Sequence, residues 1–294
     1  MPEPALAPDR AAATPSADPA TEPAARDALA SWRDAYVGRL TAPDGWWAIQ
    51  ALVWLDEGPT LAGSDADAAV RLPAPFAGHT ATLRREGTTV TVAPEGPERL
   101  WENGVPVEEP AIVHDRERTF ASGPEADAAR FAVLIRGDRR GVRVFDPARA
   151  AEHDPNRGVA WYDLEPGWVL PALFEPAAEG ETVGIVTQLG DVLDTPAAGR
   201  LRFERDGVEH ALLATWSGEH LFVNFRDAGS GTESYGAGRF LTVAAPDANE
   251  NAVLDFHRAH HPPCAHSAFA TCPLPPLANR LPFVVRAGER TASE

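Results

Sequence analysis

The chain has no lysine: all 26 of its basic residues are arginine. A Schiff-base lysine, a pyridoxal-phosphate anchor and a phosphate-loop lysine are therefore excluded. Cysteine is scarce, with two residues, and there is one methionine. No apolar run approaches the roughly 18 residues needed to span a bilayer. The formal net charge of -17 disfavours nucleic acid and anionic membranes, both of which reward Lys and Arg surfaces. The Ala-, Pro- and Arg-rich, lysine-free composition is that expected of a GC-rich bacterial genome.

Residues 1–26 are mostly Ala, Pro, Asp, Glu and Thr. They lack a basic n-region and a continuous apolar h-region, so they read as a disordered tail and not as a secretory signal. A cytoplasmic location is the resulting expectation. Over 27–41, Leu29, Trp32, Tyr36 and Leu40 recur at helical spacing, which predicts a short amphipathic helix that docks on a core. From Gly45 onward short β-runs alternate with Gly, Pro, Asp and Asn. GRLRFER–DG–VEHALLATW is the clearest hairpin, because Asp206-Gly207 suits a type I′ turn. The strand signal fades between Asp146 and Pro166. The expected fold class is all-β, with two sandwich- or barrel-like domains over 45–146 and 160–290.

LDFHRAHHPPCAHSAFATCPLPP concentrates four of the nine histidines and both cysteines. His257, His261, Cys264 and Cys272 form a metal-ligand alternative, although the cysteines stand too far apart for a zinc knuckle. Buried thiols anchoring a Pro-rich loop are the plainer reading. FRDAGSGTESYGAGR gathers acids, donors and arginines around a Gly-rich turn between strands. Strand alternation aims several of them at one face, as in a pocket for a small polar or anionic ligand. The ligand-binding candidates are Arg226, Ser230, Arg239, His257, Asn279 and Arg280. The acid–base candidates are Asp227, Glu233, Tyr235 and Asp255. No cofactor is implied.

NFRDAGSGTESYGAGRFL, followed by LDFHRAHHPPCAHSAFATCPLPPLANRLPFVVRAGER, resembles an uncharacterised bacterial family, domain of unknown function 1684. The resemblance implies no activity. His257, His260, His261 and His266 stand where the family pattern has Asn, Tyr, Asn and Phe, and Gly229 replaces a Thr. A metal site built on these histidines would therefore be particular to this chain. LAGSDADAAVRLPAPFAGHTATL with NGVPV is similar to a forkhead-associated sandwich. There His79 and Asn103 match, while Ser64 and Phe76 stand at the positions of the phosphate-gripping Arg and Ser. That resemblance makes a non-enzymatic interaction module on the first domain the alternative to a ligand pocket on the second. A metal-dependent enzyme using the His/Cys loop is the third reading.

Overall fold

The computed structural model describes residues 17–95, 99–153 and 158–292. They form two compact units: residues 38–153 make one, and residues 17–37 with 158–292 make the other. Helix α1 (Pro23–Thr41) opens the described chain. Its stripe Leu29, Trp32, Tyr36 and Leu40 is buried throughout, as the spacing predicts.

In the first unit the strands are β1 (Ile49–Trp54), β2 (Gly58–Gly63), β3 (Val70–Arg71), β4 (Ala81–Glu86), β5 (Thr89–Pro94), β6 (Leu100–Glu102), β7 (Val105–Val107), β8 (Ala111–Val113), β9 (Arg118–Ala121), β10 (Arg130–Arg136) and β11 (Arg139–Phe145). They assemble into a six-stranded sheet, β1-β11-β10-β9-β6-β7, and a five-stranded sheet, β3-β2-β4-β5-β8. Alternation explains why the sheets share a core. Val90 and Val92 of β5 are fully buried, and they pack in one cluster with Phe120, Phe131, Val133 and Val142 of the other sheet. A one-turn helix α2 (Pro147–Ala151), capped by the Asp146 carboxylate on the Ala148 amide, ends this unit.

The second unit contains β12 (Ala160–Trp161), β13 (Val169–Pro176), β14 (Thr182–Val186), β15 (Val192–Arg205), β16 (Val208–Ser217), β17 (His220–Phe225), β18 (Arg239–Ala244), β19 (Asn251–Asp255) and β20 (Glu289–Arg290). The main sheet runs β18-β17-β16-β15-β13-β19, with β14 on β15. Just past β19, His260 exchanges both backbone hydrogen bonds with Phe240 of β18, at 2.8 and 3.0 Å. The sheet is thereby curled into a near-closed barrel. Leu201, Leu212, Leu221, Val223, Phe225, Leu254 and Phe256 fill it. The β15–β16 hairpin turns at Asp206 and Gly207, with φ of 53° and 74°, the left-handed pair that a type I′ turn needs.

The first 16 residues of the expected tail lie outside the described residues. From residue 17 the chain is structured, and the helix starts earlier than its apolar spacing indicates. Asp18 anchors this approach. Its carboxylate accepts from the Ala20 amide and, across the barrel mouth, from the Gly167 amide, both at 2.9 Å. No described helix is long and apolar enough to cross a membrane.

Candidate functional site

The segment between β17 and β18 is closed by its own groups. Asp227 Oδ1 accepts from the Gly229 amide (2.9 Å) and the Ser230 hydroxyl (3.2 Å), while Ser230 Oγ accepts from the Asp227 amide. The Glu233 and Ser234 amides return to the Gly229 carbonyl. A Cβ at position 229 would lie 2.9 Å from Val284, so this chain's Gly fits a tight approach. Ser230 is thus spent on the turn and is not presented as a nucleophile.

Arg239 opens β18 and is 1% exposed. It donates from Nη2 to Asp227 Oδ2 at 2.5 Å and to the Val285 carbonyl at 2.8 Å. From Nη1 it donates to the Ala287 and Glu289 carbonyls at 2.5 and 3.1 Å. Burial pushes its guanidinium below the usual value, and Asp227 partly offsets that. Arg239 fastens the C-terminal run to the barrel and leaves no terminal nitrogen for a ligand. Asn279 does the same for the run before it. Its amide bridges both backbone groups of Leu213 and the Asn224 carbonyl at 2.7–2.9 Å, fully out of solvent.

The second buried network joins the helix to the His/Cys loop. Glu289 Oε2 accepts from the Tyr36 hydroxyl (3.0 Å) and the His261 amide (2.7 Å), and His261 Nδ1 lies 3.2 Å from Oε1. The Tyr235 amide donates to His261 Nε2 at 3.1 Å, so Nδ1 carries the proton that faces Glu289. Both ring nitrogens are engaged and neither is offered to a metal. Tyr36 also meets His266 Nε2 at 3.0 Å. Burial pushes the Glu289 carboxyl up; the hydrogen bonds from the His261 ring and amide, with His266 close by, outweigh it and hold it at about 2. Trp32 stacks on Tyr36 at 5.7 Å, and both rings contact Trp161 and His260, which seats the helix.

His257 is completely buried, 3.6 Å from Asp18, and burial lowers its pKa against the pull of Asp255 and Asp18. Asp255 caps the following turn through the His257 amide and pairs with Arg258 Nε, both at 3.1 Å. Burial raises its carboxyl, with Arg258 and His257 opposing. Cys264 and Cys272 are not joined by a disulfide. The four residues of the metal alternative do not converge, because His257 faces Asp18, His261 faces Glu289, and the thiols face each other.

Among the acid–base candidates, Glu233 has the most exposed carboxylate. It is gripped by Arg286 Nε and Nη2 at 3.1 and 3.0 Å and approached by the Tyr162 hydroxyl at 3.5 Å, and the Arg286 pairing lowers its pKa. Tyr235 instead donates its hydroxyl to the Cys264 carbonyl, and burial together with Cys264 pushes it up to about 12. Arg226, half-buried, and Arg280, exposed, form a parallel backbone bridge.

A group that sequence reading passed over lies on the first unit. Asp65, Asp67 and His79 are exposed, and each offers a ligand atom within 4.8 Å of the others. Among the described residues no other three His, Cys, Asp or Glu do so. His79 Nε2 stands 3.3 Å from Asp67 Oδ1 and 3.9 Å from Asp65 Oδ2. The loops are held by the Ser64 amide on the Ala77 carbonyl and the Asp65 amide on the Gly78 carbonyl, at 2.8 and 3.2 Å. A Cβ at position 78 would sit 2.3 Å from the Asp65 carboxylate, so Gly78 lets these loops meet. The signal was Asp-x-Asp followed by Gly-His. In the sequence His79 stands out only for its forkhead-like position. Of the other positions in that comparison, Phe76 is buried in the core and Asn103 takes a φ of 51° in the β6–β7 turn.

Residues 156–290 match a family model described as "Protein of unknown function (DUF1684)". The chain belongs to this family through its second unit. The matched residues include the Asp227–Arg239, Asn279 and Glu289 networks of this DUF1684 protein. A solution NMR structure of an uncharacterised protein from Haloarcula marismortui is 30% identical. It covers 49% of this chain and 80% of its own, at a TM-score of 0.39. No curated protein matches the chain.

Proposed function

We propose that this DUF1684 protein binds a divalent metal ion on its first unit through Asp65, Asp67 and His79. One observation carries the reading: a nitrogen and two carboxylates from separate loops already stand within 4.8 Å of one another. Ligand atoms about 2.0–2.2 Å from zinc stand roughly 3–3.5 Å apart, so a small closure of these side chains supplies three of the four positions of a tetrahedral site. An oxygen-rich set with one imidazole suits Zn²⁺ or Mn²⁺ and leaves open positions for water or an anionic ligand. The forkhead-like comparison falls on the same loops. A cation there would restore positive charge where Ser64 replaces arginine, which joins the interaction-module reading to the metal reading. Calorimetric titration of the chelator-treated protein with Zn²⁺ or Mn²⁺ tests this. The expected result is one site, lost in Asp65→Asn/Asp67→Asn. Unchanged binding in that variant overturns it.

The second reading, a small polar ligand on the DUF1684 barrel, is supported by the Glu233–Arg286–Tyr162 group. It carries the most exposed carboxylate among the acid–base candidates, with Arg226 and Arg280 as further cations. Arg239 belongs to the barrel's closure in both readings. Loss of ligand binding in Glu233→Gln, with the fold kept, is its expected outcome.

A further inference from the structure

Cys264 and Cys272 lie eight residues apart and are brought together by the loop's own architecture. The Pro263–Ala265 turn points the Cys264 amide at Cys272 Sγ, 3.3 Å away. Cys272 is fully buried and fixed from the other side, where its carbonyl accepts from the Gln188 amide at 3.0 Å and the next residue bridges to Thr187. Cys264 is only half-buried. Its sulfur accepts a hydrogen bond from the Gln188 side-chain amide at 3.2 Å, and the Cys272 thiol stands beside it. These contacts, with that from Cys272 the largest, lower its pKa against burial. One sulfur is accessible and stabilised as thiolate, while its neighbour is sealed inside. That division of labour characterises an attacking and a resolving thiol.

We propose that Cys264 and Cys272 are a hydroperoxide-oxidised thiol pair. The Cys264 thiolate attacks the distal oxygen of hydrogen peroxide or an alkyl hydroperoxide. An S–O bond forms, the O–O bond breaks, and the departing oxyanion takes a proton as water or alcohol. The Cys272 thiol then attacks the sulfenic sulfur. The S–S bond forms and the S–O bond breaks, and the expelled hydroxide leaves as water with the Cys272 proton. Two thiols lose two electrons in all, and the peroxide gains them. The site lies on the second unit and is independent of the metal reading.

The test uses the reduced, tag-free full chain, treated with hydrogen peroxide and followed by intact mass and thiol titration. The expected product is monomeric, about 2 Da lighter, without titratable thiols and restored by dithiothreitol. It should form at least about tenfold faster than free cysteine is oxidised. Cys272→Ser should stop at a Cys264 sulfenic acid that dimedone traps, and Cys264→Ser should leave Cys272 reduced. Two thiols surviving in the wild-type chain, a rate equal to free cysteine, or oxidation undiminished in Cys264→Ser would each overturn the proposal. The wild-type rate and mass need no variant to fold.

Discussion

Replacing Arg239 by Met keeps most of its volume and removes its charge and donors. In the folded barrel this strands the Asp227 carboxylate, whose side chain is 1% exposed, without its cation. An uncompensated buried charge costs about 3–5 kcal/mol. The Val285, Ala287 and Glu289 carbonyls lose their donor as well, at about 1 kcal/mol for each that water does not reach. The sum is about 5 kcal/mol, comparable to the whole stability of a typical domain at ~5–15 kcal/mol. With a urea slope of about 2 kcal/mol/M, the midpoint of the second unit should fall by about 2.5 M. Urea titration read by hydrogen exchange in peptides from residues 158–292 isolates that unit. Adding Asp227→Leu removes the stranded charge and should recover about 2–3 kcal/mol of the loss. A loss below about 1 kcal/mol in Arg239→Met would refute the claim that this arginine fastens the C-terminal run to the barrel.

Tyr36→Phe removes one donor to the buried Glu289 carboxylate while keeping the stacking on Trp32, so the second unit should lose about 1.5–3 kcal/mol, measured by the same urea titration. Glu289 sets an acid dependence. Its folded pKa of about 2 lies below the unfolded value near 4.3, so the native state binds fewer protons. Its contribution of about 3 kcal/mol is complete above the unfolded pKa and drains as pH falls toward 2. Urea midpoints measured down to about pH 3 should fall more steeply in the wild type than in Glu289→Gln, and equal slopes would contradict this. Removing metal by chelation should leave the barrel's urea midpoint unchanged, because the proposed ligands lie in the first unit.

Local signals were the legible ones. Asp206-Gly207 specifies its turn through backbone sterics alone, and the Leu29–Leu40 stripe specifies a helix through its 3.6-residue period. The structured approach to that helix was not legible, because Asp18 is held by Gly167, 149 residues away. The crowding of Arg226, Asp227, Glu233 and Arg239 near one another was visible from alternation. What alternation cannot say is which faces are sealed. The carbonyls that occupy Arg239 arrive with the last described residues, and Glu289 reaches His261 from 28 positions away. Asp65, Asp67 and His79 meet only because two loops cross at Gly63 and Gly78, where a Cβ on Gly63 would stand 1.8 Å from the Gly78 carbonyl. Asp-x-Asp and Gly-His are each visible in the chain, but nothing in their spacing says that they meet, whereas the histidine-rich loop is conspicuous in sequence and buries His257 and His261.

The most direct test of the metal site is histidine-ring NMR of the chelator-treated protein during titration with Mn²⁺, whose unpaired electrons broaden nearby resonances. The account predicts that His79 broadens first, at the lowest Mn²⁺ additions, while His257, His261 and His266 stay sharp. Early broadening of the loop histidines with His79 unaffected would contradict it and return the metal to the Cys264–Cys272 loop.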